Sequence, residues 1–226
     1  MPTRGQILLF KFGERKHLLD LQCGCVYMCP WRYFSDCERQ SERDPDEGTH
    51  SWFNPKASSI VIDDHPLTSE GGTMSASLRF PDQRTKIFCA STLRPAVDRT
   101  PGSIFEDQIM KHGDHLLVIW NVASFLQKLQ SEIENLKQRG IIRAYRPGLV
   151  EYFDPSSYDG DVGPFRKTKR YAFEREWRLM VQTTTKSDLP FTMQINPIEK
   201  QSKIIATDSF VNLIDRKDDG SVQFRI

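Results

Sequence analysis

The chain predicts an α+β fold of short, bent, mostly antiparallel strands with few helices. Three observations carry this. Short apolar runs, separated by turns rich in Gly and Pro, recur along the whole length. Only one long stretch carries apolar residues at helical spacing. Strands and helices do not alternate regularly, and no period of about 20 to 50 residues recurs, so a doubly wound sheet or a solenoid is not expected. The whole chain, residues 1–226, reads as one domain.

Residues 6–12 (QILLFKF) read as a first strand, ended by Gly13. Leu18, Leu19 and Leu21 stand in helical register over 14–23, with Gly24 as a left-handed stop. Residues 25–28 (CVYM) follow as a strand before Pro30. The apolar pattern then fails over 30–56, where Trp31, Tyr33 and Phe34 give way to the acidic, turn-rich ERQSERDPDEG. A connection this long reads as a lid-like loop over a site. Strands are expected at 58–64, 75–80 and 85–91 (TKIFCAS), and a short helix at 103–112. The continuous apolar run HLLVIW, 115–120, suits a strand covered on both faces.

The clearest helix spans 122–139, capped by Asn121, stopped by Gly140, and striped with Phe125, Leu126, Leu129, Ile133 and Leu136. Strands at 141–146 and 149–153 follow, then a turn-rich loop at 154–164. Residues 171–181 (YAFEREWRLMV) read as a strand, and 191–195, 202–208 and 221–226 close the chain as three more.

With 31 Lys and Arg against 30 Asp and Glu, the formal charge of +1 gives no global field to draw a polyanion or an anionic membrane. Any nucleic-acid contact must be local, and Arg166, Lys167, Lys169 and Arg170 form the best patch. No apolar window of about 18 residues occurs and the first apolar run is short, so the expectation is a cytoplasmic protein with no membrane partner. Of the 5 cysteines, Cys23, Cys25, Cys29 and Cys37 crowd together without paired C-x-x-C spacing. Reduced thiols fit this better than disulfides, and the spacing argues against zinc even with His17 or His50 nearby, so no metal is expected.

The run at 171–181 raises a question, because it sets two carboxylates in a stretch otherwise suited to burial. In an extended strand Phe173, Trp177, Leu179 and Val181 share one side, and Glu174, Glu176 and Arg178 share the other. Surface decoration of a half-exposed strand is one account. The other is chemical. Two neighbouring carboxylates suit cleavage of a glycosidic bond, one stabilising an oxocarbenium-like transition state and the other handling the nucleophile.

The chain resembles a family of mostly uncharacterised bacterial proteins in four pieces: LFKF at 9–12, VYMCP at 26–30 with Tyr33 and Phe34, FCAS at 88–91, and PFRK at 164–167 running through Arg178. This layout is in turn similar to the three-part signature of ADP-ribosyltransferases: a polar residue on the first strand, a Ser-Thr strand in the middle and a late Glu-x-Glu. The resemblance implies an ADP-ribosyltransferase-like fold and NAD as co-substrate. It implies that Glu176 binds the nicotinamide ribose and stabilises the oxocarbenium, and that Glu174 positions the acceptor. It further implies cofactor contacts from Lys11, Ser91 and Thr92, with Tyr27, Tyr33 and Phe34 stacking on nicotinamide. The resulting expectation is an NAD-dependent ADP-ribosyltransferase or NAD glycohydrolase, a toxin or phage-conflict effector whose acceptor is protein or nucleic acid. The alternative is a non-catalytic binding module that uses residues 30–55 as its interface.

Overall fold

The computed structural model describes residues 7–37, 43–54, 61–62, 65–66, 76–79, 83–93, 107–210, 214–216 and 222–224. In chain order the strands are β1 (Leu8–Gly13), β2 (Cys25–Pro30), β3 (Thr49–Phe53), β4 (Val61–Ile62), β5 (His65–Pro66), β6 (Ala76–Arg79), β7 (Thr85–Leu93) and β8 (His115–Ile119). They continue as β9 (Ile142–Leu149), β10 (Glu151–Phe153), β11 (Gly160–Asp161), β12 (Arg166–Thr168), β13 (Glu176–Thr183), β14 (Phe191–Gln194), β15 (Ser202–Ala206), β16 (Ile214–Arg216) and β17 (Val222–Phe224). The helices are α1 (Arg15–Gln22), α2 (Asp107–Met110), α3 (Val122–Gln138) and α4 (Thr207–Phe210). The class is therefore α+β with mostly antiparallel strands and few helices. Parts of the strands expected at 58–64, 75–80 and 221–226, and of the helix expected at 103–112, lie outside the described residues.

Eight strands form the main sheet, and every pairing in it is antiparallel. β7 is its pivot. One edge of β7 pairs with β13 from Thr85 to Ser91. The other edge is divided: Ile87 and Lys86 pair with Cys29 and Pro30 of β2, while Ser91, Thr92 and Leu93 pair with Phe10, Leu9 and Leu8 of β1. Between the two contacts, at residues 88–90, β1 and β2 part and the sheet forks.

Alternation along β1 and β8 explains why both of their faces are buried. Leu9, Leu117 and Ile119 join the larger core under α1 and α3, while Leu8, Phe10, Leu116 and Val118 join a second core with Ile109 and Phe210. Each such buried side chain contributes about 1.5–3 kcal/mol relative to exposure. The run at 115–120 thus has the two-sided cover its composition predicts. Helix α3 matches its sequence signals as well: Asn121 accepts from the Ser124 amide at 3.1 Å, Gly140 (φ 71°) ends it, and Phe125, Leu129, Ile133 and Leu136 are buried.

Gly24 carries more than a helix stop. At φ 98° its carbonyl accepts from the Ile195 amide, and a Cβ built on it would lie 2.1 Å from the Ile195 carbonyl oxygen. Gly24→Ala is expected to cost about 2–4 kcal/mol through backbone strain and overpacking, read as a fall in the denaturant midpoint.

Two local expectations are corrected. The strand read over 171–181 begins only at Glu176, because Lys169–Glu174 is a 3₁₀ turn. Phe173 consequently packs in the second core while Trp177 packs in the first. The stretch 30–56 is not featureless: it holds a 3₁₀ turn at Trp31–Ser35, hydrogen-bonded turns at 44–49 and β3. Residues 38–42 and 55–56 of it lie outside the described residues.

Candidate functional site

Between the 3₁₀ turn and β13, Arg175 adopts a left-handed conformation (φ 45°, ψ 50°), rare for a residue with a side chain. Thr92 stabilises it, since its amide and its hydroxyl both donate to the Arg175 carbonyl oxygen at 2.8 Å. The reversal lets Glu174 and Glu176 approach one point from different elements. The Glu176 amide donates to the Tyr152 hydroxyl oxygen at 2.8 Å, and across the ladder Glu176 and Arg178 face Ser91 and Cys89.

The acids meet a buried ionic cluster. Arg178, 0% exposed, donates through Nε and Nη2 to both Glu176 carboxylate oxygens at 2.8 and 3.1 Å. Its Nη1 and Nη2 donate to both Glu47 oxygens at 2.8 and 2.7 Å. Lys167 lies 2.6 Å from Glu174, 3.4 Å from Glu176, 3.5 Å from Asp44 and 4.0 Å from Glu47. Trp31 Nε1 donates to Glu47 at 2.8 Å, and Arg170 pairs with Asp46 at 2.6 Å.

Carboxylates outnumber cations in the buried part, where Asp44, Glu47, Glu174 and Glu176 face Lys167 and Arg178. The imbalance sets the protonation states. Burial pushes the Glu174 carboxyl up to about 7 against the pull of Lys167, and the Glu176 charge adds to the push. Glu176 resists burial because Arg178 first, and Lys167 second, hold it well below the usual carboxylate range. Burial opposes the charge on Lys167, but Glu176, Glu174 and Glu47 outweigh it and hold the amine well above its ordinary value. Burial, then Glu176, also pushes the Cys89 thiol well up.

A cleft of about 520 Å³ opens at the fork of the sheet. Lys11, Tyr27, Tyr33, Phe34, Ser91, Glu174 and Glu176 all line it. The Lys11 ammonium lies 5.3 Å from the centre of the Phe88 ring, and Tyr27 and Tyr33 are 56% and 43% exposed. Thr92 is the exception: it does not line the cleft, because alternation along β7 turns it away from Ser91 and its hydroxyl is used on Arg175.

Three of the four cations in the basic patch have acidic partners, and Lys169 is exposed. Arg166 pairs with Glu151 at 3.0 Å, Arg170 pairs with Asp46, and Lys167 is buried among carboxylates. Sequence reasoning set Arg178 on the side of the two glutamates but missed Asp44, Glu47 and Lys167 as partners in the same cluster. The available signal was the coincidence of an acidic turn with cations flanking Glu-x-Glu, which pattern alone assigns to solvent.

The five cysteines are free thiols. Among the described residues no group of three or more His, Cys, Asp and Glu side chains is arranged to hold a metal ion, and no helix is long and apolar enough to cross a membrane. No protein-family model matches the chain, and neither a curated protein nor a solved structure matches it significantly.

Proposed function

We propose that the protein cleaves the bond between nicotinamide and ribose in NAD, as an ADP-ribosyltransferase or NAD glycohydrolase with an ADP-ribosyltransferase-like fold. The observation that carries the reading is the cleft at the fork, where Glu174, Glu176, Ser91, Lys11 and three aromatic side chains converge. In the proposed step the C1′–N bond breaks and neutral nicotinamide leaves with the bonding electron pair. The hydroxyl of water or of a protein or nucleic-acid acceptor attacks C1′ and gives up its proton.

Glu174 is the base that takes that proton, since a carboxyl titrating at about 7 is matched to the task. Glu176 is the fixed anion near the developing oxocarbenium, and the network that keeps it ionised also keeps it still. Lys11 is the cation for the diphosphate, and Tyr27, Tyr33 and Phe34 offer planar faces to nicotinamide.

The test is incubation with NAD and mass analysis of the products. Free nicotinamide alone indicates a glycohydrolase, and a mass shift on protein or nucleic acid indicates a transferase. Intact NAD overturns the reading. Glu174→Gln is expected to slow nicotinamide release about a hundredfold with little change in KM. Wild-type activity should rise with pH through about 7 as Glu174 loses its proton, and that limb should vanish in the variant.

The exposure of Tyr27 and Tyr33 at the cleft favours a second reading, a binding module without turnover. Saturable NAD binding with no product would select it.

A further inference from the structure

Glu47 belongs to an acidic turn 131 residues from Arg178 in sequence, yet it is 4% exposed and grips one edge of that guanidinium. The two carboxylates divide the fork between them: Glu176 takes the edge formed by Nε and Nη2, and Glu47 takes the edge formed by Nη1 and Nη2. The Pro164 carbonyl accepts from Nη1 at 2.7 Å, and Trp31 steadies Glu47 from the other side. Any rotation of the guanidinium away from Glu47 also unseats Glu176.

We infer that Glu47 is a positioning residue for the cleft acids: by holding Arg178 it fixes both oxygens of Glu176, which makes the turn around Asp44–Gly48 part of the site. Its consequence for rate rests on the NAD-cleaving reading. Its consequence for the cluster does not. The groups facing Glu174 are Lys167 from β12, Glu176 and Arg178 from β13, and Tyr152 from β10, while Asp44 and Glu47 reach Lys167 from the turn.

The experiment is Glu47→Gln in the full chain, followed by three readouts. With NAD, kcat should fall about tenfold or more while KM stays within about threefold. By NMR the Arg178 Nε–Hε resonance should shift, and the Glu174 carboxyl carbon should titrate at lower pH, because Lys167 and Arg178 lose a competing anion. A purely structural role lowers the denaturant midpoint but leaves the kcat of the folded protein where it was. Trp31→Phe removes the hydrogen bond to Glu47 without changing charge, and it carries the test if the first variant does not fold: a smaller fall in kcat in the same direction supports the inference. An unmoved Arg178 resonance in Glu47→Gln, or wild-type kcat in both variants, overturns it. If the wild type leaves NAD intact while the Arg178 resonance shifts in both variants, the NAD reading falls and the role of Glu47 stands.

Discussion

Arg178→Met is expected to lower the unfolding free energy by about 3–5 kcal/mol, measured as a shift of the denaturant midpoint. Methionine fills comparable volume but donates nothing, so Glu47 and Glu176 are left buried as anions. Lys167, at 4.0 and 3.4 Å from them, is already committed to Glu174 at 2.6 Å. The cost therefore comes from stranded charge more than from a cavity. A double variant, Glu47→Gln with Arg178→Met, should recover part of the loss because one stranded charge is gone. Equal midpoints for wild type and Arg178→Met would mean that the network contributes nothing to stability.

Stability should fall as pH rises from about 4.5 to about 7, by about 3 kcal/mol from Glu174 alone. The direction follows from proton counting. The folded carboxyl titrates at about 7 and the unfolded one at its ordinary value of 4.5, so in that window the folded chain holds a proton that the unfolded chain has released. Raising the pH withdraws this advantage. Glu176 acts with the opposite sign and in a different window: its depressed value adds stability above the ordinary carboxylate range, lost only as pH falls below it. Denaturation of Glu174→Gln at several pH values between about 5 and 8 should give a flatter profile than wild type. An equal slope in both would exclude Glu174 as its source.

What the sequence made legible was whatever local period or punctuation encodes. Helix α3 and strand β8 announce themselves through apolar stripes and runs, and Asn121, Gly24 and Gly140 mark ends by their chemistry. The convergence of Lys11, Ser91, Glu174 and Glu176 on one cleft was anticipated from motif order, although on a wrong geometric argument. Simple alternation was meant to bring the two glutamates together. In fact a 3₁₀ turn and a left-handed arginine do so, and a non-glycine residue at positive φ leaves no trace in composition. The partners of the acidic turn stay hidden in the sequence for a related reason. Asp44 and Glu47 look solvated until Lys167 and Arg178, far along the chain, fold against them. Burial of charge is a tertiary fact, set by partners that no local window contains.

The parting of β1 and β2 along β7 has one last consequence, for kinetics. A guest entering beside residues 88–90 unzips no backbone rung, because none joins those two strands there. The described walls already stand, so opening these strands adds no step to arrival, and their empty and filled forms should superimpose closely.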